Sequence, residues 1–129
     1  MRSLLNENVF VLYSRYQPTR VLNDALTYKV THISVVDKIL SDLIEHDNDK
    51  IISQYSCILL GGAALNDKTI RKALRAKAKV FASYGMTETS SMIACAPISR
   101  GFDGGLRLLP GYQTRIMRPD NKGVGLLHV

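Results

Sequence analysis

The sequence predicts an α/β fold, a parallel β-α-β-α-β core followed by short antiparallel strands. Three observations carry this. Short β-rich apolar runs alternate with helical patterns between Val30 and Ser83. Each run has strand length and stops at a turn-forming residue: Ser34, Gly61-Gly62 or Tyr84-Gly85. Beyond Thr87 the helical period disappears, and short strand-like runs are separated by Pro, Gly and Asn.

Taken in order, Val9–Leu12 reads as a strand and Arg20–Lys29 as a helix. Val30–Ile33 is the first strand of the core. Val35, Val36, Ile39, Leu40, Leu43 and Ile44 then recur at the i, i+3, i+4 spacing of an amphipathic helix. Ser34 suits its N-cap, and Asp37 three residues later suits a capping-box start. Ser56–Leu60 is a continuous apolar strand. Asn66 and Asp67 cap a second helix that runs to about Ala78, and Val80–Ser83 is the third strand. Strands joined in this way are parallel, with right-handed crossovers. Ser90–Ala96, Gln113–Met117 and Gly125–Val129 form the short strands that follow, with a hairpin loop at Pro119–Gly123. Without a repeat or a Pro/Gly/Ser-rich linker, residues 1–129 make one partial domain with no internal boundary.

A chain of 129 residues, 46% hydrophobic and 22% charged, is neither a disordered tail, a collagen-like repeat nor a disulfide scaffold. No apolar run approaches the roughly 18 residues of a membrane helix. The first eight residues lack the apolar stretch of a signal peptide, which points to the cytoplasm. Cys57 and Cys95 form no CxxC pair and read as reduced, buried thiols. His32, His46 and His128 are scattered, without zinc-ligand spacing.

Lys plus Arg number 17 against 11 Asp plus Glu, a net charge of +6. Lys68, Arg71, Lys72, Arg75 and Lys79 fall on one helical stripe opposite Ile70, Ala73 and Leu74. That pattern is the ordinary mark of a solvated helix face. A basic nucleic-acid-binding module is the alternative, but no aromatic residue interleaves with the stripe to stack on bases.

Parallel strands put their C-terminal ends on one edge of the sheet, where ligands of open α/β sheets bind. Three loops therefore converge there: His32–Val35, Gly61–Leu65 and Tyr84–Thr89. Small residues in Gly61-Gly62-Ala63-Ala64-Leu65 let the backbone approach a flat or anionic ligand. The loop matches neither the dinucleotide fingerprint nor the P-loop. Tyr84-Gly85-Met86-Thr87-Glu88-Thr89 gathers a ring for stacking, hydroxyls for a phosphate and a carboxylate for Mg²⁺, a set suited to a nucleoside triphosphate.

This hexapeptide resembles the YGxTE motif of the adenylate-forming (AMP-binding) superfamily, and Gly61–Leu65 resembles that family's adenine-contacting loop. Val30–Val36, Leu59–Gly62 and Tyr84–Ser91 are most similar to the o-succinylbenzoate–CoA ligases of menaquinone synthesis. The resemblance implies part of the large N-terminal domain of such an enzyme, truncated at both ends. It implies an acid–CoA ligase using ATP, Mg²⁺ and coenzyme A, with 2-succinylbenzoate or another carboxylic acid as substrate. Carried over by motif, Tyr84, Gly85 and Met86 sit at the adenine, with Gly61, Gly62, Ala63 and Ala64 as the wall beside it. Thr87 bonds the α-phosphate, Glu88 holds Mg²⁺, and Ser91 and Ser34 line the acid pocket.

The sequence also departs from the family. The phosphate-gripping Ser/Thr/Gly-rich loop would precede Met1, and the ribose-binding Asp and the adenylation Lys would follow Val129. Leu126 stands where the family more often has Glu, and Gly105–Gly111 lacks an earlier Pro. The resemblance thus implies that the 129 residues do not turn over by themselves.

Overall fold

A computed structural model describes residues 7–62 and 65–129. Its helices are α1 (Pro18–Thr27), α2 (Asp37–His46) and α3 (Asp67–Arg75). Its strands are β1 (His32–Val35), β2 (Cys57–Leu60), β3 (Val80–Met86), β4 (Ser91–Pro97), β5 (Arg107–Leu108), β6 (Arg115–Met117) and β7 (Leu126–His128). Short 3-10 turns occupy Ile51–Gln54 and Thr87–Thr89. One sheet has the order β1-β2-β3-β4-β5, and β6 and β7 form a separate two-stranded sheet. β1, β2 and β3 run parallel, while β4 and β5 are antiparallel to their neighbours. The expected architecture is therefore present: a parallel β-α-β-α-β core and then antiparallel strands.

The sheet face carrying Val35, Ile58, Leu60, Val80 and Ala82 is buried together with Leu40 and Leu43 of α2 and Ala73 of α3. Residues two apart on a strand share a face, so these positions form two apolar rows under the helices. Full burial of side chains such as Ile58 or Leu60 stabilises the fold by about 1.5–3 kcal/mol each. α1 adds Val21, Leu22 and Ala25 to the same core.

Several boundaries differ from the sequence-based expectation. The first core strand is His32–Val35, two residues later than expected, because its backbone pairs in register with Cys57–Leu60. Ser34 is consequently inside the strand and caps nothing. The N-cap of α2 is Val36, which makes no side-chain cap. The Asp37 carboxylate instead accepts bonds from the Thr69 hydroxyl (2.9 Å) and the Asn66 N–H (3.3 Å). It thereby ties the start of α2 to the start of α3. Thr69, only 3% exposed, is a buried polar residue that needs such a partner.

α1 and α3 both stop two or three residues earlier than expected, for one reason. After α3, Lys77 adopts φ +55°. The Ala78 and Lys77 N–H groups donate to the carbonyls of Ala73 and Leu74. After α1, Lys29 adopts φ +51°, and Val30 and Lys29 donate to Ala25 and Leu26 in the same way. Both are Schellman endings with lysine where glycine usually stands. Pro18 starts α1, two residues before the expected Arg20.

Val9–Leu12 forms no strand: Val9 is 96% exposed, and none of the four pairs with the sheet. An apolar run with neither a buried face nor a ladder partner has nothing to hold it extended. The Pro119–Gly123 loop does join β6 to β7, where the Asp120 carboxylate accepts from the N–H groups of Lys122 and Val124 (2.9 Å each).

Candidate functional site

The candidate site lies where β2 ends and β3 continues. The pairing Ile58↔Val80, Leu59↔Phe81, Leu60↔Ala82 brings the chain to Gly61 and Gly62 at the level of Ser83 and Tyr84. The glycine pair and the start of the hexapeptide thus leave neighbouring, co-directional strands side by side. The N-termini of α2 and α3 face the same edge of the sheet, since α2 follows the end of β1 and α3 follows the end of β2.

The turn after β2 is tight. The Gly61 N–H donates to the Val35 carbonyl (3.3 Å). Gly62 has φ +90°, a conformation that disfavours side chains, and a Cβ there would lie 3.3 Å from Val36 Cγ1. Ala63 and Ala64 lie outside the described residues.

Tyr84-Gly85-Met86 is the C-terminal end of β3, and not the loop expected from sequence. β3 outruns β2 by the four residues Ser83–Met86, since its last pairing to β2 is at Ala82. The overhang stays a strand because β4 folds back on it, pairing Tyr84 with Ala94 and Met86 with Ser91. Among the described residues no strand pairs with Tyr84 on the β2 side, and Tyr84 is 43% exposed. The ladder is irregular between Tyr84 and Gly85. A Cβ on Gly85 would collide with the Ser91 carbonyl oxygen and lie 2.7 Å from Met92 Cα. Glycine is required there because two backbones touch.

Thr87, Glu88 and Thr89 form the hairpin turn between β3 and β4. The Thr89 hydroxyl closes it, accepting from the Met86 N–H (3.2 Å) and reaching the carbonyls of Met86 and Ser91 (2.9 Å each). Thr87 and Glu88 are exposed, and among the described residues no side-chain bond or ion pair occupies either. A free hydroxyl and a free carboxylate therefore stand at the tip, three and four residues beyond the open tyrosine. One carboxylate is the protein share that Mg²⁺ commonly takes when phosphates supply the rest.

Ser91 begins β4 opposite Met86 and is exposed beside this overhang. Ser34 is not brought to it. It lies on β1, paired with Leu59 of β2 and three strand spacings from β4, which places it on the order of 20 Å from Ser91. Ser34 instead lines a separate cavity of about 760 Å³ between β1 and the segment Asn8–Tyr13. None of Gly61, Gly62 or Tyr84–Glu88 lines that cavity.

Elsewhere, the cationic stripe expected on the second helix is present from Lys68 to Arg75 only, because Lys79 lies beyond the left-handed Lys77 that ends α3. Lys68, Arg71 and Arg75 are exposed and Ala73 is buried beneath them, while Lys72 reaches across to Glu45 and Ser41 of α2. Lys72 holds the Glu45 carboxyl below its usual range. Cys57 and Cys95 are free and half-buried. Burial, with a smaller contribution from Cys95, raises the Cys57 thiol and keeps it protonated. Among the described residues no helix is long and apolar enough to cross a membrane.

Comparison with known proteins gives consistent results. The family model described as AMP-binding enzyme matches residues 3–125. A 2-succinylbenzoate–CoA ligase of Bacillus cytotoxicus is 37% identical over 97 residues, covering 70% of this chain and 20% of its own length. The o-succinylbenzoate CoA synthetase of Bacillus subtilis in complex with the acyl-adenylate intermediate OSB-AMP superposes with a TM-score of 0.82. It is 30% identical, over 91% of this chain and 25% of the other. The same enzyme with ATP and magnesium ion gives a TM-score of 0.78 at 28% identity, over 97% and 26% of the two chains. This chain spans about a fifth to a quarter of the proteins it matches.

Proposed function

Because the chain belongs to the AMP-binding enzyme family, we propose that it supplies the adenine wall and the phosphate-facing turn of an acid–CoA ligase. In that reaction a carboxylate oxygen attacks the α-phosphorus of ATP, pyrophosphate leaves, and an acyl-adenylate remains. The thiol of coenzyme A then attacks the acyl carbon and AMP departs. The likeness to 2-succinylbenzoate–CoA ligases makes 2-succinylbenzoate the acid we assign, with another carboxylic acid as the alternative.

The roles follow from the geometry of the overhang. Tyr84, open on the side that β2 vacates, packs its ring on adenine, with Gly85 and Met86 carrying the strand past the base. Gly61 and Gly62, with Ala63 and Ala64 after them, form the wall on the other side of the base. Thr87 donates its hydroxyl to the α-phosphate. Glu88 gives its carboxylate to Mg²⁺, whose charge offsets the repulsion between two approaching anions. Ser91 borders the acid, whereas Ser34, on its own cavity, is assigned no part. The observation that supports this reading above the others is the shared level of Gly61-Gly62 and Ser83-Tyr84 on adjacent parallel strands.

Calorimetric titration with AMP and with ATP tests it, in the presence and absence of Mg²⁺. Tyr84→Ala is expected to weaken AMP about tenfold, the worth of one base–aromatic stack. Glu88→Ala is expected to leave AMP binding intact and to abolish the Mg²⁺-dependence of ATP binding. The reading is overturned if AMP affinity is indifferent to Tyr84→Ala. For the reaction, the chain would be joined to the flanking regions of a 2-succinylbenzoate–CoA ligase. Acid-dependent exchange of pyrophosphate into ATP is then the expected result, and its absence contradicts the assignment.

A further inference from the structure

We infer that Ser83 is a positioning residue that sets the spacing between the Gly61-Gly62 turn and Tyr84, an inference resting on the nucleotide reading above. Ser83 immediately precedes Tyr84, so its side chain leaves β3 on the opposite face from the tyrosine ring. Its hydroxyl donates to the Leu60 carbonyl at 3.1 Å, at the last residue of β2 before the turn. Beyond that point, among the described residues, no backbone hydrogen bond ties Gly61 or Gly62 to β3. The hydroxyl is thus the last polar tie between the strand that carries the turn and the strand that carries the ring.

In the rotamer that reaches Leu60, the same oxygen occupies the space beside residue 61. A Cβ on Gly61 would lie 2.5 Å from Ser83 Oγ, closer than real Cβ atoms approach. The next nearest atoms would be the Ser83 carbonyl oxygen at 3.6 Å and Cβ at 3.9 Å, both ordinary contacts. Unlike Gly62, Gly61 has no left-handed φ that forbids a side chain. A side chain at 61 would therefore displace the Ser83 hydroxyl from its place on Leu60, and in this sense the two residues are a matched couple. The hydroxyl holds Leu60 and fills the space that a side chain on Gly61 would take. The turn can then close to van der Waals distance on β3, with the Gly61 N–H held on its other side by Val35. An adenine held between the turn and Tyr84 meets a gap whose width is set from behind by this couple.

The test is a mutant cycle on the full 129-residue chain, reading the AMP dissociation constant by calorimetry and the thermal midpoint of each variant. Gly61→Ala is expected to weaken AMP about threefold, because its Cβ pushes the Ser83 hydroxyl off the Leu60 carbonyl. Ser83→Ala is expected to weaken it about threefold, the worth of one neutral hydrogen bond. The double variant is expected to bind like Ser83→Ala alone, since without Oγ the alanine at 61 fits. Ser83→Thr, which keeps the hydroxyl, is expected to restore the affinity lost in Ser83→Ala. Losing the bond also lowers the thermal midpoint, so the titrations are run well below every variant's midpoint, where a merely structural role would leave AMP affinity unchanged. Multiplicative effects in the double variant, or unchanged AMP affinity in Ser83→Ala, overturn the inference. If Gly61→Ala fails to fold, Ser83→Ala against Ser83→Thr still decides it: equal affinities overturn it. Failure of the unsubstituted chain to bind AMP would overturn the nucleotide reading itself, and is seen before any variant is compared.

Discussion

In the five-stranded sheet, Val35, Ile58, Leu60, Val80 and Ala82 are buried under helices, whereas every strand residue of the β6–β7 hairpin is exposed. Both regions satisfy their backbone hydrogen bonds with neighbouring strands. They differ in what the pairing covers. The hairpin leaves Ile116, Met117, Leu126 and Leu127 between 38% and 68% exposed, and is held by its ladder and by the Asp120 turn. A two-stranded ribbon of this kind contributes little stability by itself. β3 belongs to both regimes: its first three residues lie in or against the core, and its last four stand beyond β2 in a hairpin with β4. The candidate site sits at that change of regime, where β3 emerges from the core with, among the described residues, no strand paired on its β2 side.

The difference between the regions can be broken at its strongest point with Leu60→Ala. Loss of this buried side chain is expected to cost about 2–5 kcal/mol in urea unfolding. A cost below 1 kcal/mol would mean that the parallel core is not the stabilising unit. Lys77→Gly acts in the other direction. It removes a lysine from the left-handed position that ends α3, and a gain of about 1 kcal/mol is expected in the same assay. Leu127→Ala in the hairpin is expected to change stability by less than about 0.5 kcal/mol, as for other exposed positions. A loss comparable to that of Leu60→Ala would place the hairpin in the cooperative core.

The smallest effect concerns pH. Lys72 lowers the Glu45 carboxyl from its ordinary 4.5, so the native state favours the charged form. The stability from this pair is complete above that value and is lost as pH falls through the lowered one. Both partners are largely solvent-exposed. The thermal midpoint of Glu45→Gln is therefore expected to fall only slightly less than that of the unsubstituted chain between pH 7 and pH 3.

Much of this was legible in the residues, and the exceptions have physical causes. The strand–helix alternation and the nearness of the Gly61-Gly62 turn to Tyr84 follow from apolar period and from the rule that such connections make parallel strands. The helix ends do not, because Lys29 and Lys77 occupy positions that sequence patterns assign to glycine. The start of α2 lies later than the pattern suggests, because Ser34 has the chemistry of a cap but ladder pairing with Leu59 claims its backbone. β5, two residues long, has no pattern of its own and exists through its pairing with β4. At the site, motif and spacing find Tyr84, Thr87 and Glu88. They do not find Ser83, whose importance lies in the space it denies to Gly61, a contact between residues 22 apart in the chain.

The most direct measurement is an AMP titration of the ¹⁵N-labelled chain, followed by amide chemical shifts. Saturable changes are predicted at Gly61, Gly62 and Tyr84–Thr87, with the β6–β7 hairpin and the exposed face of α3 silent. Changes confined to Lys68–Lys79, or none at any AMP concentration, would contradict a purine site between the two strand ends.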